Sequence, residues 1–205
     1  MMKHISKRMM SVLAMGIMSV GVLSACGSAP AVPEDAFYRL TTQAEKTGDP
    51  VLNGVVEVVR FAASGSLGNR PLLMSSRATN EVSEYHYHFW IESPPMLLQS
   101  ALVSHLRGSN VASQVVTPEM RVTPDFTITG RVLRLETVRG TDPAGVVAFE
   151  LALRDEHTDK ILVLKEYTAD IPANQDRVQD GAVALEEAVN QAFKSFVADI
   201  RQSKP

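Results

Sequence analysis

The chain has 205 residues, 20 Lys and Arg against 23 Asp and Glu, a formal net charge of −3 at pH 7 and 45% hydrophobic residues. That mildly acidic balance argues against nucleic-acid binding, which draws on a positive surface. A single cysteine excludes an intramolecular disulfide and a cysteine zinc cluster, and the length suits one domain with a proper hydrophobic core.

The first 25 residues read as a secretory signal. Lys3, Lys7 and Arg8 make a basic start, followed by an uncharged stretch from Met9 to Leu23. As a helix this stretch spans about 22 Å, short of the ~30 Å hydrocarbon core, which favours a cleaved peptide over a single-pass anchor. Leu23-Ser24-Ala25-Cys26 resembles the lipobox of bacterial lipoproteins: an aliphatic residue, two small residues that suit a narrow peptidase site, then the cysteine that is lipidated. Leu23, Ser24 and Ala25 are the expected signal-peptidase recognition residues. Cys26 is the expected first mature residue and carries a covalent acyl lipid, the only non-protein group the sequence implies. The competing readings are an ordinary signal peptide that contains a cysteine and a retained cytoplasmic helix. Gly27 and Ser28 follow the cysteine in place of the aspartate that marks inner-membrane retention in many Gram-negative bacteria. The expected site is the periplasmic face of the outer membrane. Residues 26–36, with small residues and prolines and no periodicity, read as a lipidated tether, and residues 37–205 as one domain.

Within that domain Phe37–Leu40 predicts a short strand, and the β-branched run at 55–60 a second. A glycine-containing loop at 62–69 precedes candidate strands at 72–77 and 85–90. Pro94 and Pro95 close this region and open a helix. Leu98, Ala101, Leu102, His105 and Leu106 form its apolar stripe, and Gly108 is placed as its stop. Strands are predicted again at 112–116 and 125–136. In the latter, Phe126, Ile128, Gly130 and Val132 share a face before Leu133 and Leu135 take over, so a bulge is expected near Gly130–Val132. Val147, Phe149, Leu151 and Leu153 alternate along 146–155, a turn at HTDK follows, and 161–171 returns as a hairpin partner. A last helix carries Ala182, Leu185, Ala188, Val189, Ala192, Phe193, Phe196, Val197 and Ile200 on one face, with Asp180 as its expected cap. The order predicts an α+β fold: a mixed or mainly antiparallel β-sheet covered by two principal α-helices.

No residue pattern points to catalysis. There is no G-x-S-x-G elbow, no H-E-x-x-H and no phosphate-cradling G-x-x-x-x-G-K-[ST]. His86 and His88 are two apart on a strand and share a face, but two imidazoles fall short of the three or four ligands of a zinc site, so no metal is expected. Tyr85, Tyr87 and Phe89 take the opposite register and read as packing residues. The polar segment Arg77–Glu84, which the core does not require, is the candidate partner surface, through Arg77, Asn80, Glu81 and Glu84. Trp90, Leu98 and Leu102 are assigned to packing or to an interface, with Leu98 and Leu102 expected to hold the first helix on the sheet.

The segment YHYHFWIESPPMLLQSALVSHL at 85–106 resembles the central signature of the ABC-type transport auxiliary lipoprotein family. Trp90, Glu92, Pro94 and Leu98 fit that signature, and Phe89 stands where arginine is common. Phe37-Tyr38-Arg39-Leu40 is similar to the family's opening strand, and the long strand beginning near Phe126 to a later one. The resemblance covers roughly 35–200 and includes the paraquat-inducible protein C group. It implies a non-catalytic, membrane-anchored periplasmic subunit that docks or positions an intermembrane lipid transporter. Its partners would be a periplasmic MCE-domain protein and the associated ABC permease, with homo-oligomers among the expected states. The alternative is an envelope lipoprotein chaperone or a direct lipid carrier, because an apolar strand face can serve either a core or a cavity.

Overall fold

The computed structural model describes residues 33–79 and 81–203. The signal, the lipobox with Cys26, and Asn80 lie outside the described residues. Eight strands form one sheet: β1 (Ala36–Tyr38), β2 (Leu52–Val58), β3 (Pro71–Ser76), β4 (Val82–Trp90), β5 (Ala112–Val116), β6 (Phe126–Arg139), β7 (Ala144–Asp155) and β8 (Lys160–Pro172). Helix α1 (Pro94–Ser109) joins β4 to β5, and α2 (Val178–Ser203) follows β8. Among the described residues no helix is long and apolar enough to cross a membrane.

The 14-residue β6 organises the sheet. Along one edge its first residues pair with β2 and its last with β3, both parallel, while the other edge pairs antiparallel with β7. The longest pairings, β6 with β7 and β7 with β8, are antiparallel; the parallel ones are short. A mixed, mostly antiparallel curled sheet flanked by two substantial helices is the architecture expected. The register shift in β6 falls between Val132 and Arg134, just beyond the place its apolar pattern indicated. It turns Leu133 outward while Leu135 stays buried, so Leu133 does not join the inner stripe.

Both helices pack on one apolar face of the sheet and on each other. Val147, Phe149, Leu151 and Leu153 are fully buried beneath α2, where Phe193 stacks on Phe149 at 5.9 Å and Phe61 meets Phe149 edge-on at 6.1 Å. Gly145 lets α2 come this close: a Cβ there would lie 2.2 Å from the Leu185 backbone nitrogen. Leu98, Leu102 and Leu106 of α1 are fully buried in the same core.

Several local details depart from the sequence reading. Helix α1 runs past Gly108 and ends at Asn110, which takes the left-handed conformation (φ 56°, ψ 33°). Gly108 instead makes room for Ala44, whose Cβ would be 3.1 Å from a side chain there. Helix α2 begins at Val178, so Asp180 lies inside the first turn, where it pairs with Arg177 at 2.6 Å and does not cap. Ala182 is only partly buried, and Gly181 and Ala184 complete the stripe. In β4 the pairing with β3 jumps from Pro71–Phe89 to Leu73–Glu84. That bulge breaks simple alternation: Tyr85 and Trp90 are both buried, whereas Tyr87 is exposed and does not pack.

Candidate docking surface

The β3–β4 connection carries Arg77 and Glu81, and Glu84 lies just inside β4. The backbone of the connection is shaped by its own hydroxyls: the Ser76 Oγ accepts from the Ala78 N–H at 3.2 Å, and the Thr79 Oγ1 from the Glu81 N–H at 3.4 Å. Arg77 reaches the distant β8, where its two terminal nitrogens donate to both carboxylate oxygens of Asp170 at 2.9 Å each. Such a fork-to-fork pair fixes orientation as well as charge. Glu84 accepts a long hydrogen bond of 3.5 Å from the Asn69 amide, and Glu81 accepts from the Ser83 hydroxyl at 3.4 Å.

Behind this turn lies an ordered polar network. The Glu136 side chain is almost buried in β6, where its Oε1 accepts from the Ser75 hydroxyl at 2.9 Å and from the Arg134 guanidinium. The Tyr85 hydroxyl bonds to Thr137 Oγ1 and accepts from Arg139, both at 3.1 Å, and the Arg139 guanidinium lies over the Tyr85 ring and pairs with Asp176. The hydrogen bond from Arg139 is the main reason the Asp176 carboxyl is held below the usual carboxylate range. Arg77, Arg134 and Arg139 thus each face a carboxylate. This part of the surface is polar, with its three arginines paired and Glu81 and Glu84 bonded to neutral side chains.

A second feature is a cleft of about 660 Å³ where the segment between β1 and β2 crosses both helices. The segment is strapped down by hydrogen bonds from the Thr41 N–H to Glu186 (3.2 Å), from the Thr42 hydroxyl to the Ala101 carbonyl (2.8 Å) and from the Gln43 N–H to Asn190 (3.1 Å). Arg201 secures its far end by donating to the carbonyls of Asp49 (3.0 Å) and Ser109 (2.9 Å). The cleft is lined mainly by polar side chains, including Glu45, Glu186, Glu187, Asn190, Gln191 and Lys194. His105 lies at its floor, 4% exposed, edge-on to Phe193 at 5.8 Å, with no partner for Nδ1. Burial pushes this imidazole down to about 4.

Trp90 is 2% exposed, and with Leu98 and Leu102 it packs in the core. The Trp90 backbone is held by Arg70, whose Nε donates to the Trp90 carbonyl at 3.1 Å. Of the candidate docking residues, Arg77 pairs with Asp170 on β8, Glu81 bonds Ser83 and Glu84 bonds Asn69, so each is held by a different neighbour. His86 is exposed, and His88 shares a 2.8 Å hydrogen bond with the Tyr38 hydroxyl, so the two do not converge on one centre. Among the described residues no group of three or more His, Cys, Asp or Glu could hold a metal ion. Sequence reasoning does not find Asp170, Glu136 or Asp176, the anionic half of the network. The one signal for it is Glu136, the single acidic residue of its strand, set between Leu135 and Thr137.

Comparison with known proteins gives one family and a set of related folds. The family model for the ABC-type transport auxiliary lipoprotein component matches residues 38–197. The crystal structure of protein XCC0632 from Xanthomonas campestris is similar at a TM-score of 0.70 and 17% identity, covering 79% of this chain and 92% of that one. A second crystal structure, of an uncharacterized protein, is similar at a TM-score of 0.63 and 16% identity, covering 82% of this chain and 99% of that one. At these identities the two structures speak for the fold alone. No curated protein matches the chain significantly.

Proposed function

The chain belongs to the ABC-type transport auxiliary lipoprotein component family and is a non-catalytic auxiliary protein of transport; from that premise we propose that it is a tethered adaptor for an intermembrane lipid transporter. In this reading residues 1–25 are removed after recognition of Leu23, Ser24 and Ala25. Cys26 is acylated, residues 26–36 form the tether, and the domain from residue 37 stands in the periplasm against the outer membrane. The domain docks or positions a periplasmic MCE-domain protein and its associated ABC permease, as in the paraquat-inducible protein C group. The docking surface is the turn carrying Arg77, Asn80 and Glu81, with Glu84 just inside β4.

The observation that carries the adaptor reading is the filling of the apolar sheet face. Its inward residues on β7 are fully buried under Phe193 and its neighbours, so that face serves the core. The cleft between strap and helices is lined mainly by polar groups, which suits no acyl chain. A pre-ordered polar surface beside a packed core fits a protein that is recognised better than one that encloses lipid.

Two measurements test this. Intact mass of the protein extracted from native membranes should show loss of residues 1–25 and added acyl mass, and Cys26→Ser should release or misprocess the protein without altering the fold of the domain. An unmodified form starting elsewhere would end the anchoring proposal. Crosslinking and affinity purification from native membranes, followed by mass spectrometry of proteins and lipids, should recover a permease or an MCE-type protein. Stoichiometric lipid in an isolated monomer would instead establish the carrier or chaperone.

A further inference from the structure

The two-stranded end of the sheet presents an apolar patch where the tether enters the domain. Phe37 of β1 is 56% exposed, and its ring lies 5.9 Å from that of Phe89, its register partner on β4. Arg70 sits over the Phe37 ring at 5.4 Å, and Ile91, one residue beyond β4, is 38% exposed. Neither phenylalanine is needed inside: Tyr38 and Trp90, the next register pair, supply the buried side of this edge. Phe37 is therefore an exposed ring, set against the half-buried Phe89 and topped by a guanidinium, that the core does not require.

We propose that this patch rests in the headgroup region of the leaflet that holds the acyl chains of Cys26, and so sets the orientation of the domain on the membrane. The inference rests on the anchoring reading above. Covalent geometry supplies the reason for the occupant. Cys26 and Phe37 are 11 residues apart, so even a fully extended chain keeps Phe37 within about 40 Å of the anchor. The bilayer is then the one apolar phase that never leaves the neighbourhood of the patch. Aromatic rings with a cationic companion suit the membrane–water interface, where the ring meets the acyl boundary and the guanidinium meets phosphate. A few half-exposed side chains bind such a surface weakly by themselves, but a tether raises the local concentration and turns weak contact into a preferred orientation. Glu34 and Asp35 precede β1 and would be repelled by anionic lipid. The surface it fits is accordingly a zwitterionic one.

The test uses the full acylated chain in vesicles of phosphatidylcholine and phosphatidylethanolamine containing a spin-labelled lipid. Acylation consumes the only native thiol, so one introduced cysteine takes a fluorescent label alone. Phe37→Cys and Ile91→Cys probe the patch; Leu164→Cys on β8 and Val183→Cys on α2, at 59% and 69% exposure, are references elsewhere on the surface. Intact mass is read first, and a chain without acyl mass would overturn the anchoring reading together with this one. With acylation present, labels at 37 and 91 should be quenched by lipid several-fold more than labels at 164 and 183. Equal quenching at all four positions would overturn the patch while leaving the anchor standing. So would protection of 37 and 91 from both lipid-borne and aqueous quenchers, the signature of a second copy covering them.

Discussion

His105 offers a quantitative check on how the strap and helices close over the core. Its imidazole is 4% exposed against Phe193, and burial lowers its pKa from 6.5 to about 4. Above pH 6.5 the ring is neutral in both folded and unfolded chains and adds no pH dependence. As pH falls below 6.5 the unfolded chain takes the proton and the folded chain refuses it, so stability declines until the folded pKa is reached. Within that window each pH unit removes about 1.4 kcal/mol, and moving from pH 8 to pH 5 therefore removes about 2 kcal/mol through this residue alone. Glu45, Glu186, Glu187 and Lys194 line the same cleft and are present in wild type and variant alike. The informative quantity is thus the difference between wild type and His105→Leu, each measured by urea denaturation at pH 8, 6.5 and 5. That difference should shift by about 2 kcal/mol against the wild type on acidification. A difference that stays constant across the range would refute the buried, neutral histidine.

Leu98→Ala and Leu102→Ala, both at fully buried positions, should each cost about 2–5 kcal/mol in a denaturant melt; wild-type stability in both would contradict the packing of α1. Gly145→Ala should destabilise by about 3 kcal/mol or more, because the new methyl meets helix backbone that cannot rotate away. Gly68→Ala, whose nearest neighbour would be a methyl at 3.9 Å, should stay within about 1 kcal/mol and serves as its control. Arg77→Ala and Asp170→Ala break a half-exposed pair and should change stability by no more than about 1 kcal/mol, yet each should lower the crosslinking yield with the transporter partner. Loss of the fold in either variant would make the pair structural.

The elements legible from sequence are those whose period is uninterrupted. The alternation of Val147, Phe149, Leu151 and Leu153 names a half-covered strand, and the stripe from Leu185 to Ile200 names an amphipathic helix, without any knowledge of partners. Pairing order is another matter. That β6 takes both β2 and β3 along one edge depends on the curl of the whole sheet, and no strand pattern names its neighbour. Local errors share one cause: a residue type suited to two tasks. Gly108 looks like a helix stop but is required for the approach of Ala44, while Asn110 tolerates the left-handed turn in its place. Tyr87 points inward by parity, but the β4 bulge shifts the count. The polar turn at Arg77–Glu84 is visible in the sequence as superfluous to the core. Its partner Asp170 is not, being 93 residues away.

Recognition of this domain by strand addition is opposed at β1, β5 and β8 by a different device in each. β1 has only three residues. At β5, Arg107 of α1 donates twice to the Val115 carbonyl, at 2.6 and 3.2 Å, and so occupies backbone that an added strand would need. β8 is long but places Lys160, Lys165, Glu166 and Asp170 along its length, and charged side chains on an edge discourage pairing. With the inner sheet face under two helices, side chains on the outer surface and turns remain as the means of contact. Amide hydrogen exchange on the crosslink-validated complex should therefore show new protection in the turn at 77–84 and little change along β8 or β5. Strong new protection of β8 amides would mean that the partner adds a strand, and the side-chain docking surface would have to be abandoned.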